Sequence, residues 1–491
     1  MNDLIHNIAD LLRFDPEAPM LFSSGIFWAL FLVFMPLYGM LRRNLWQMLV
    51  FVVVFSLFFY YKSSGWFVLL LTATSAVDWT LSRIMSRPGA GKALRRLCVA
   101  LSLAGSLGIL AYFKYANFFL WNINAMVGGN FQPLDLVLPV GISFYTFQSV
   151  SYIVDVYKGK VEPTRTWLEY AFFLTFFPAL VAGPIVRADY FLPQIRENRH
   201  ATRQEVYAGL WFIILGVIKK AIVADYLAQF NDLVFDSPGA YSGFEALMGI
   251  IGYTMQIYCD FSGYSDMAIG IASIMGFRLA QNFDFPYKSR NVTEFWRRWH
   301  ISLSTWFRDY VYIPLGGNRR GVPRHLFNIA VVWFLTGMWH GASWNFILWG
   351  VYYGILLMLE KYVWGKLLAK FPKWIQHAYA FLIVVFGFVI FAITDFGELG
   401  RYIALLFSFA TNTLADTRFL WYLGNYGVVL VAACVLMCPV YPWLCRKAST
   451  LSRGKSCVLS AFAGIGMLLL FILSTAYMVS DTYNPFLYFR F

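Results

Sequence analysis

The sequence contains little charge for its length. Lys, Arg, Asp and Glu make up 13% of the 491 residues, whereas ordinary soluble domains carry about 25%. Hydrophobic residues account for 59% and aromatic residues for 20%, and the mean hydropathy is +0.59. Apolar runs close to the roughly 20 residues that a membrane-spanning helix needs recur along the chain. The composition therefore excludes an ordinary soluble domain and predicts an all-α polytopic membrane protein.

Cysteine is also scarce, and its pattern excludes the common zinc and redox motifs. The six cysteines include no CxxC pair and no His/Cys cluster at the spacing of zinc ligands. We expect them to be small packing residues. Cys434 and Cys438 are four residues apart and would share one helix face, so a metal or disulfide role is the alternative for that pair.

Several motifs of soluble enzymes are missing as well. The chain has no GxSxG nucleophile elbow, no P-loop and no dinucleotide fingerprint. No internal repeat or low-complexity tract stands out. We therefore expect a single integral-membrane domain over residues 1–491, with a catalytic core at about 130–365. We expect no attached soluble module, no bound cofactor and no metal.

Acidic residues are outnumbered by basic ones. The chain has 39 Lys and Arg against 26 Asp and Glu, which gives a formal net charge of +13. In a soluble protein this excess would suggest nucleic acid binding. In an apolar chain, basic cytoplasmic loops and contact with anionic headgroups explain it better. We expect membrane lipid, and not nucleic acid, as the partner of these charges.

Four apolar segments near the N-terminus can be oriented by charge. They span residues 25–41, 47–61, 66–85 and 97–113. Lysine and arginine follow the first and third segments, and the connection after the second carries only Lys62. By the positive-inside rule, the first and third connections are cytoplasmic. This places the N-terminus on the external face.

The two ends of the chain complete this topology. Residues 1–20 are polar and amphipathic and lack a small-residue cleavage site, which predicts a short interfacial helix and no cleavable signal. Basic residues mark two more inner loops, at 361–373 and 446–455. The last apolar segment, about 457–479, then leads outward. Both termini are predicted to be external.

The middle of the chain is less regular. Proline, glycine or serine interrupts apolar stretches at 138–149, 176–187 and 260–270, and we expect the helix at 260–270 to break at Ser262 and Gly263. Broken helices are tolerated at membrane depth only where protein or a water-filled cavity satisfies the freed backbone. The pattern therefore predicts a central cavity. Counting clear and broken spans gives about 11 transmembrane helices plus re-entrant pieces.

An aromatic and basic segment surrounds His300. Apolar side chains recur at helical period from 295 to 310, which predicts one amphipathic interfacial helix. They are Phe295, Trp299, Leu303, Trp306 and Tyr310. His300 lies at the edge of this face beside Trp296 and Phe307, so its ring is expected to point into the protein.

The same region is strongly basic. Eight Lys and Arg residues stand against two acidic ones from 288 to 324, which predicts a cytoplasmic location. One interpretation is that the arginines only anchor the segment to lipid headgroups. The other is that Arg297 and Arg298, together with Trp296 and Trp299, hold a cytosolic donor, because arginine binds phosphate through forked hydrogen bonds. The sequence leaves both open.

A second histidine, His340, lies in an apolar run that is interrupted at Gly337 and Gly341, without a charged neighbour. A neutral histidine can act as a general base near neutral pH. Asn345 would then orient the ring or stabilise developing negative charge. The alternative is a core histidine that is hydrogen-bonded across helices. We take His340 and His300 as the candidate catalytic residues.

Two carboxylates, Asp260 and Asp266, lie inside a long apolar stretch. Charged groups at membrane depth need partners. We expect these aspartates to pair with arginines of the 288–324 region and to brace the cavity. A metal site built from both aspartates and a histidine is the alternative, although no metal-motif spacing supports it.

Two long motifs stand out in the second half of the chain, NFDFPYKSRNVTEFWRRWHISLSTWFRDYVYIPLGGNRRG and MWHGASWNFILWG. Further motifs are FKYANFF, LPVGISFYTFQSVSYIVDVY, FFPALVAGPIVR, YCDFSGYSDMAIGIASIMGF and NPFLYFRF. Together these motifs resemble the membrane-bound O-acyltransferase (MBOAT) family, and within it the bacterial branch of alginate and peptidoglycan O-acetylation. The resemblance covers most of the chain from about residue 20 onward, and the part after about residue 365 matches only loosely.

The resemblance implies a fold and an activity. It implies a helical bundle around a tunnel that joins the two faces of a bacterial cytoplasmic membrane. His340 matches the histidine regarded as catalytic, and His300 matches the second family position. In that branch an acyl group, usually acetyl from acetyl-CoA, passes to an external SGNH-hydrolase-like partner that esterifies a cell-surface polysaccharide.

Two other functions compete with the acyltransferase interpretation. Broken helices and buried charges are common in carriers, so a transporter or flippase for an acyl or glycan intermediate is the first alternative. A structural subunit of an export complex is the second. The sequence leaves open the acceptor polysaccharide, the length of the acyl group and the identity of the partner.

Overall fold

The computed structural model describes residues 12–407, 417–450, 453–480 and Phe486. Within these residues the regular secondary structure is helical, and none of them lies in a strand. The predicted all-α fold is confirmed. The predicted interfacial helix at 1–20 lies mostly outside the described residues.

The first helices follow the predicted apolar segments. They are α1 (Gly25–Leu41), α2 (Leu45–Ser64), α3 (Phe67–Met85), α4 (Lys92–Val127), α5 (Ile142–Tyr157), α6 (Trp167–Thr175), α7 (Phe177–Leu180) and α8 (Ala188–Arg196). The four segments predicted from 25 to 113 correspond to α1 to α4. Helix α4 continues beyond the predicted end at residue 113 and comprises 36 residues.

The chain then forms a second group of helices, three of which lead into π turns. They are α9 (Arg203–Val217), α10 (Asp225–Asp236), α11 (Gly243–Met275), α12 (Val292–Arg298), α13 (Ile301–Phe307), α14 (Val322–His340) and α15 (Trp344–Leu359). The π turns are Ile218–Ala224, Arg308–Tyr312 and Glu360–Trp364, and single 3-10 turns occur at Pro238–Ala240 and Pro286–Lys288.

The remaining helices form the C-terminal part. They are α16 (Gly365–Leu368), α17 (Lys373–Ala392), α18 (Phe396–Leu406), α19 (Thr417–Met437), α20 (Val440–Ser449) and α21 (Arg453–Ser480). Helix α21 contains the predicted last span. All these helices belong to the part of the chain that the structure describes.

Seven helical segments among the described residues are long and apolar enough to cross a membrane. They are Leu45–Ser64, Phe67–Met85, Lys92–Val127, Arg203–Asp236, Trp344–Leu368, Lys373–Ala392 and Thr417–Met437. Gly25–Leu41 and Ala461–Tyr477 are shorter apolar helices. The predicted polytopic membrane class is confirmed, and the count of about 11 spans stays a prediction.

The chain divides into two compact units. The first comprises Met1–Ile213 and Met267–Ala280, and the second comprises Ile214–Asp266 and Gln281–Phe491. Within the first unit, Phe27, Phe34, Phe59 and Phe177 form part of an aromatic core. The side chain of buried Asp78 accepts hydrogen bonds from hydroxyl groups of α4 and α5. Burial of aromatic rings and satisfied polar groups stabilises this unit.

Two of the predicted helix interruptions are present. Helix α5 begins only after Gly141, whose φ of +73° lies in the left-handed region. Helix α6 ends at Thr175 and is followed by the single turn α7, so the interruption at 176–187 is also confirmed. Glycine is favoured at Gly141 because it adopts positive φ without steric cost.

The third predicted interruption was wrong. Helix α11 runs without a break through Ser262 and Gly263. A Cβ atom at Gly263 would lie 2.8 Å from the carbonyl oxygen of Gly216. The absence of a side chain there permits close helix packing, and a glycine that serves packing does not end a helix.

The predicted single helix from 295 to 310 was also wrong. The segment forms α12 and α13, separated at Trp299 and His300, and continues into the π turn at Arg308–Tyr312. The predicted apolar face is buried from Phe295 to Trp306. The helical period thus predicted correctly which side chains are buried. The backbone nevertheless turns between the two helices, because the segment at 282–284 forms hydrogen bonds with the end of α12 and the start of α13.

Helices α14 and α15 form a hairpin in which glycines permit close contact. A Cβ atom at Gly350 would clash with the carbonyl oxygen of Trp333, and one at Gly337 would clash with that of Phe346. We expect Gly350→Ala to lower the free energy of unfolding by about 1–3 kcal/mol, because overpacking forces the helices apart. Thermal unfolding of the purified protein in detergent measures this change.

The matched control is Gly400→Ala in α18, where a Cβ atom meets nothing within 4 Å. Alanine favours a helix over glycine by about 0.5–1 kcal/mol, so this variant should unfold at the same or a higher temperature. Equal melting temperatures for Gly350→Ala and the wild type would contradict the close packing.

Candidate active site

A cavity of about 230 Å³ lies within the second unit, and both candidate catalytic histidines line it. Its walls come from α12, α13, the π turn that follows them, α14 and Leu357 of α15. Apolar and aromatic side chains form most of the surface. A concave apolar site with a few polar groups is the usual setting for binding and catalysis.

His300 occupies the turn between α12 and α13. Its φ of +45° is in the left-handed region, which costs a residue other than glycine about 1–2 kcal/mol. The ring centroid lies 4.6 Å from Phe261, edge-on, and 5.5 Å from Trp339. Burial lowers the pKa of His300 to about 3. The imidazole is therefore neutral at physiological pH and is a weak base.

His340 is the last residue of α14. Its ring packs against Trp339 at 4.9 Å, Trp349 at 4.8 Å and Phe391 at 5.2 Å. Trp339 thus contacts both histidines. The helix continues through Gly337 and ends before Gly341, so the predicted interruption is present only at the second glycine. A Cβ atom at Gly341 would clash with the ring of Phe346.

The predicted donor-binding arginines differ in their surroundings. Arg297 is exposed and lines the cavity, as does Arg308. Arg298 does not line it and forms ion pairs with Asp284 and Glu294. Arg297 is therefore placed to meet an anionic ligand, whereas Arg298 connects α12 to the segment before it.

Trp296 and Trp299, which were predicted to help hold the donor, both line the cavity. The centroid of the Trp296 ring lies 4.9 Å from that of Trp333, 5.4 Å from that of Trp349 and 4.8 Å from that of Tyr353, in edge-on contacts. Such geometries are favourable for aromatic pairs. The ring cluster holds α12 against the hairpin formed by α14 and α15.

Asn345 is buried but is not among the residues that line the cavity. Its Nδ2 donates to the carbonyl oxygens of Ile390 and Phe391, at 3.3 and 3.1 Å. This side chain joins the start of α15 to the end of α17. These contacts give Asn345 a structural role, and orientation of the His340 ring by Asn345 stays a prediction.

Asp260 and Asp266 pair with lysines, so the predicted pairing with arginines of 288–324 was wrong. Lys219 Nζ lies 2.7 Å from Asp266, and Lys220 Nζ lies 2.8 Å from Asp260 and 2.7 Å from Asp225. Both lysines lie in the π turn between α9 and α10. Ion pairs between this π turn and α11 therefore brace the two segments, in place of the predicted pairs with arginines.

Sequence reasoning missed these lysines, although the signal was present. Lys219 and Lys220 interrupt the apolar run GVIKKAIV, and charged residues at membrane depth require partners. It also missed Glu360, which accepts hydrogen bonds from the backbone N–H groups of Val292 and Thr293 at 2.8 and 3.0 Å. Glu360 thereby anchors the first turn of α12, and no local motif marks it.

The cysteines with described side chains are free thiols. Cys98 and Cys259 are buried, and Cys434 and Cys438 are exposed and unbridged. The proposed disulfide alternative for Cys434 and Cys438 is therefore wrong. Within the described part of the chain, no group of three or more His, Cys, Asp or Glu side chains is arranged to hold a metal ion.

Comparison with known proteins identifies the class to which this site belongs. The sequence profile of MBOAT, the membrane-bound O-acyltransferase family, matches residues 164–397, a range that contains both histidines and the cavity. The chain is 35% identical to the probable alginate O-acetylase AlgI of Pseudomonas putida, over 96% of this chain and 100% of that one. The chain belongs to the membrane-bound O-acyltransferase family.

Two other bacterial relatives carry different names. The peptidoglycan O-acetyltransferase of Helicobacter pylori is 37% identical over 63% of each chain. The teichoic acid D-alanyltransferase of Bacillus subtilis is 30% identical over 53% of this chain and 70% of that one. The protein is accordingly a multi-pass membrane O-acyltransferase, and the family resemblance read from its motifs is confirmed.

Proposed function

We propose that the protein takes an acetyl group from acetyl-CoA on the cytosolic side and passes it across the membrane for O-acetylation of a cell-surface or secreted polysaccharide. An external SGNH-hydrolase-like partner completes the transfer. The names of the Pseudomonas putida and Helicobacter pylori relatives support acetyl as the acyl group. Because the Bacillus subtilis relative is named as a D-alanyltransferase, the identity of the acyl donor has to be tested by experiment.

The observation that carries this proposal is the cavity shared by the two histidines. His300 and His340 line one apolar space with an exposed arginine, Arg297, at its wall. Arginine suits the phosphates of a nucleotide-linked thioester. The excess of basic residues from 288 to 324 supports a cytosolic entrance at His300. The external location of the termini and a tunnel between the faces belong to the same proposal.

In the proposed reaction, His340 acts as the general base. It removes the proton of the acceptor hydroxyl, whose oxygen attacks the thioester carbonyl carbon. The bond between that carbon and sulfur then breaks, and the coenzyme A thiolate leaves and takes up the proton from His340. A positioned histidine contributes about 10²- to 10⁴-fold to such a step.

His300 has a different role in this proposal because its imidazole is neutral. A neutral imidazole carries one N–H donor and one acceptor nitrogen. Donation from His300 to the thioester carbonyl would orient the donor and stabilise the negative charge that develops on oxygen. Its low pKa makes it a poor proton acceptor, which suits a role as hydrogen-bond donor to the thioester.

Reconstituted protein with radiolabelled acetyl-CoA tests the function. We expect release of coenzyme A and appearance of the labelled acetyl group on an acceptor, with faster turnover when the external partner is present. Substrate flux across liposomes without consumption of acetyl-CoA would instead favour a transporter. Turnover of D-alanyl or longer acyl donors in preference to acetyl-CoA would overturn the choice of donor.

Arg297 provides a test of donor binding. We expect Arg297→Ala to raise the KM for acetyl-CoA about 10-fold with little change in kcat, because a lost charge-assisted hydrogen bond weakens the bound donor and transition state alike. Steady-state kinetics at several acetyl-CoA concentrations measure this change. Arg319→Ala is the matched control, because Arg319 is exposed and does not line the cavity. An unchanged KM in Arg297→Ala would argue against its contact with the donor.

A further inference from the structure

The turn that carries His300 is joined to one buried residue of another segment, Asn282, through its main chain and its side chain. The main-chain oxygen of Asn282 accepts a hydrogen bond from the N–H of Ile301 at 2.9 Å. Its Oδ1 accepts from the N–H and the hydroxyl of Ser302, at 3.2 and 2.9 Å. Its Nδ2 donates to the hydroxyl of Ser265 in α11 at 3.2 Å. Asn282 is fully buried.

These contacts satisfy the start of helix α13. The first N–H groups of a helix have no partner within it, and the residue at the N-cap position usually supplies one through its side chain. His300 occupies that position and makes no such bond. Asn282 provides the acceptors instead. The imidazole of His300 is therefore not required as a cap and lines the cavity.

The other side of the turn is held by the same segment. The N–H of Asp284 donates to the carbonyl oxygen of Arg298 at 3.0 Å. The chain around Asn282 and Asp284 thus contacts the residues on both sides of His300. Across the turn, the hydroxyl of Ser304 donates to the carbonyl oxygen of Trp296 at 3.2 Å. Together these bonds fix the left-handed backbone of His300.

We propose that Asn282 is a positioning residue for acyl transfer, which fixes the turn so that the imidazole of His300 faces the cavity. This inference rests on the proposed function in one respect, the use of His300 to orient the donor. Its structural part, control of the His300 ring by Asn282, is independent of the reaction.

Chemical modification tests the structural part in the full-length protein without any donor. Diethyl pyrocarbonate modifies accessible imidazoles, and mass spectrometry gives the rate at each histidine. We expect Asn282→Ala to increase the rate at His300 several-fold relative to exposed His200. Asn231→Ala is the matched control, because Asn231 is an equally buried asparagine that bonds Gln256 and does not line the cavity. It should leave the rate at His300 unchanged.

Kinetics test the functional part. We expect Asn282→Ala to lower kcat about 100-fold, because a small displacement of a catalytic group has an effect of that size, with little change in the KM for acetyl-CoA. Asn282→Asp keeps the Oδ acceptors and should recover part of the activity. If Asn282 acts through His300, the double variant Asn282→Ala/His300→Ala is no slower than His300→Ala alone.

The modification experiment and the kinetic experiment distinguish a failure of the Asn282 inference from a failure of the proposed function. Equal modification rates at His300 in Asn282→Ala and Asn231→Ala would overturn the inference, whatever the activity. Additive losses of kcat in the double variant would do the same. A wild type that does not turn over acetyl-CoA would refute the proposed function while the modification rates still decide the role of Asn282. If Asn282→Ala does not fold, Ser302→Ala can replace it, because it removes only the hydrogen bond from the Ser302 hydroxyl to Asn282. This variant should raise the modification rate at His300 by a smaller factor.

Discussion

Replacement of His340 by alanine is expected to lower the kcat of acyl transfer about 10²- to 10⁴-fold, the usual contribution of a general base. The KM for acetyl-CoA should change little, because the lost interaction is made mainly in the transition state. His340 lines the cavity at the end of α14 and packs among the rings of Trp339, Trp349 and Phe391. Release of coenzyme A by the reconstituted variant measures the effect.

The matched control for this experiment is His377→Ala. The Nδ1 atom of His377 lies 3.1 Å from the carbonyl oxygen of Ser289, and the residue does not line the cavity. This variant should retain most of the activity. A His340→Ala protein that folds and transfers acyl groups at the wild-type rate would refute the catalytic assignment, and the second candidate, His300, would then become the stronger one.

The second large effect is expected on stability. Replacement of Lys219 by methionine should lower the free energy of unfolding by about 3–5 kcal/mol, because it leaves the carboxylate of Asp266 without its cation in a mostly buried position. Methionine retains the length and the apolar stem of lysine, so the variant removes mainly the charge. Unfolding by SDS titration in mixed micelles, with circular dichroism as the signal, measures the loss.

A double variant separates charge from packing. In Lys219→Met/Asp266→Leu both charges are absent, and most of the stability should return, because replacing both partners of a buried ion pair by apolar groups is often neutral. Arg401→Ala is the surface control. Arg401 and Glu398 form an exposed pair, and exposed pairs contribute little, so no measurable loss is expected. A Lys219→Met protein as stable as the wild type would show that the pair does not brace α11.

These two experiments address different properties of the second unit. The residue next to Asp260 in α11 is Phe261, whose ring lies edge-on against His300 at 4.6 Å. Helix α11 thus carries both the ion-paired carboxylates and one wall of the His300 environment. We therefore expect Lys219→Met to reduce activity in proportion to the fraction of unfolded protein, whereas His340→Ala reduces the activity of folded protein.

Much of the architecture was predictable from the sequence. The low charge and the repeated apolar runs determined an all-α membrane protein, because the lipid core offers no partner to backbone groups and a continuous apolar run of about 20 residues satisfies its own as a helix. The apolar segments from 25 to 113 corresponded to helices α1 to α4. The motifs around His300 and His340 pointed to residues that the structure brings to one cavity.

The backbone path at the site was not predictable in the same way. Helical period correctly indicated burial from Phe295 to Trp306, but it predicted one helix where the chain forms α12 and α13. The turn at His300 depends on hydrogen bonds that Asn282 accepts, and Asn282 is 18 residues away along the chain. Periodicity reports the environment of side chains along one segment, and it carries no information about acceptors that another segment supplies.

The buried charges also separate what the sequence determines from what only the fold determines. The sequence by itself determined that Asp260 and Asp266 need cations, because a carboxylate at membrane depth is costly without one. Only the tertiary structure decided that Lys220 and Lys219 provide them, and that Gly263 serves helix packing without ending α11. Local composition fixes how much a group needs a partner, whereas the identity of that partner depends on which distant segments the folded chain brings within a few ångströms.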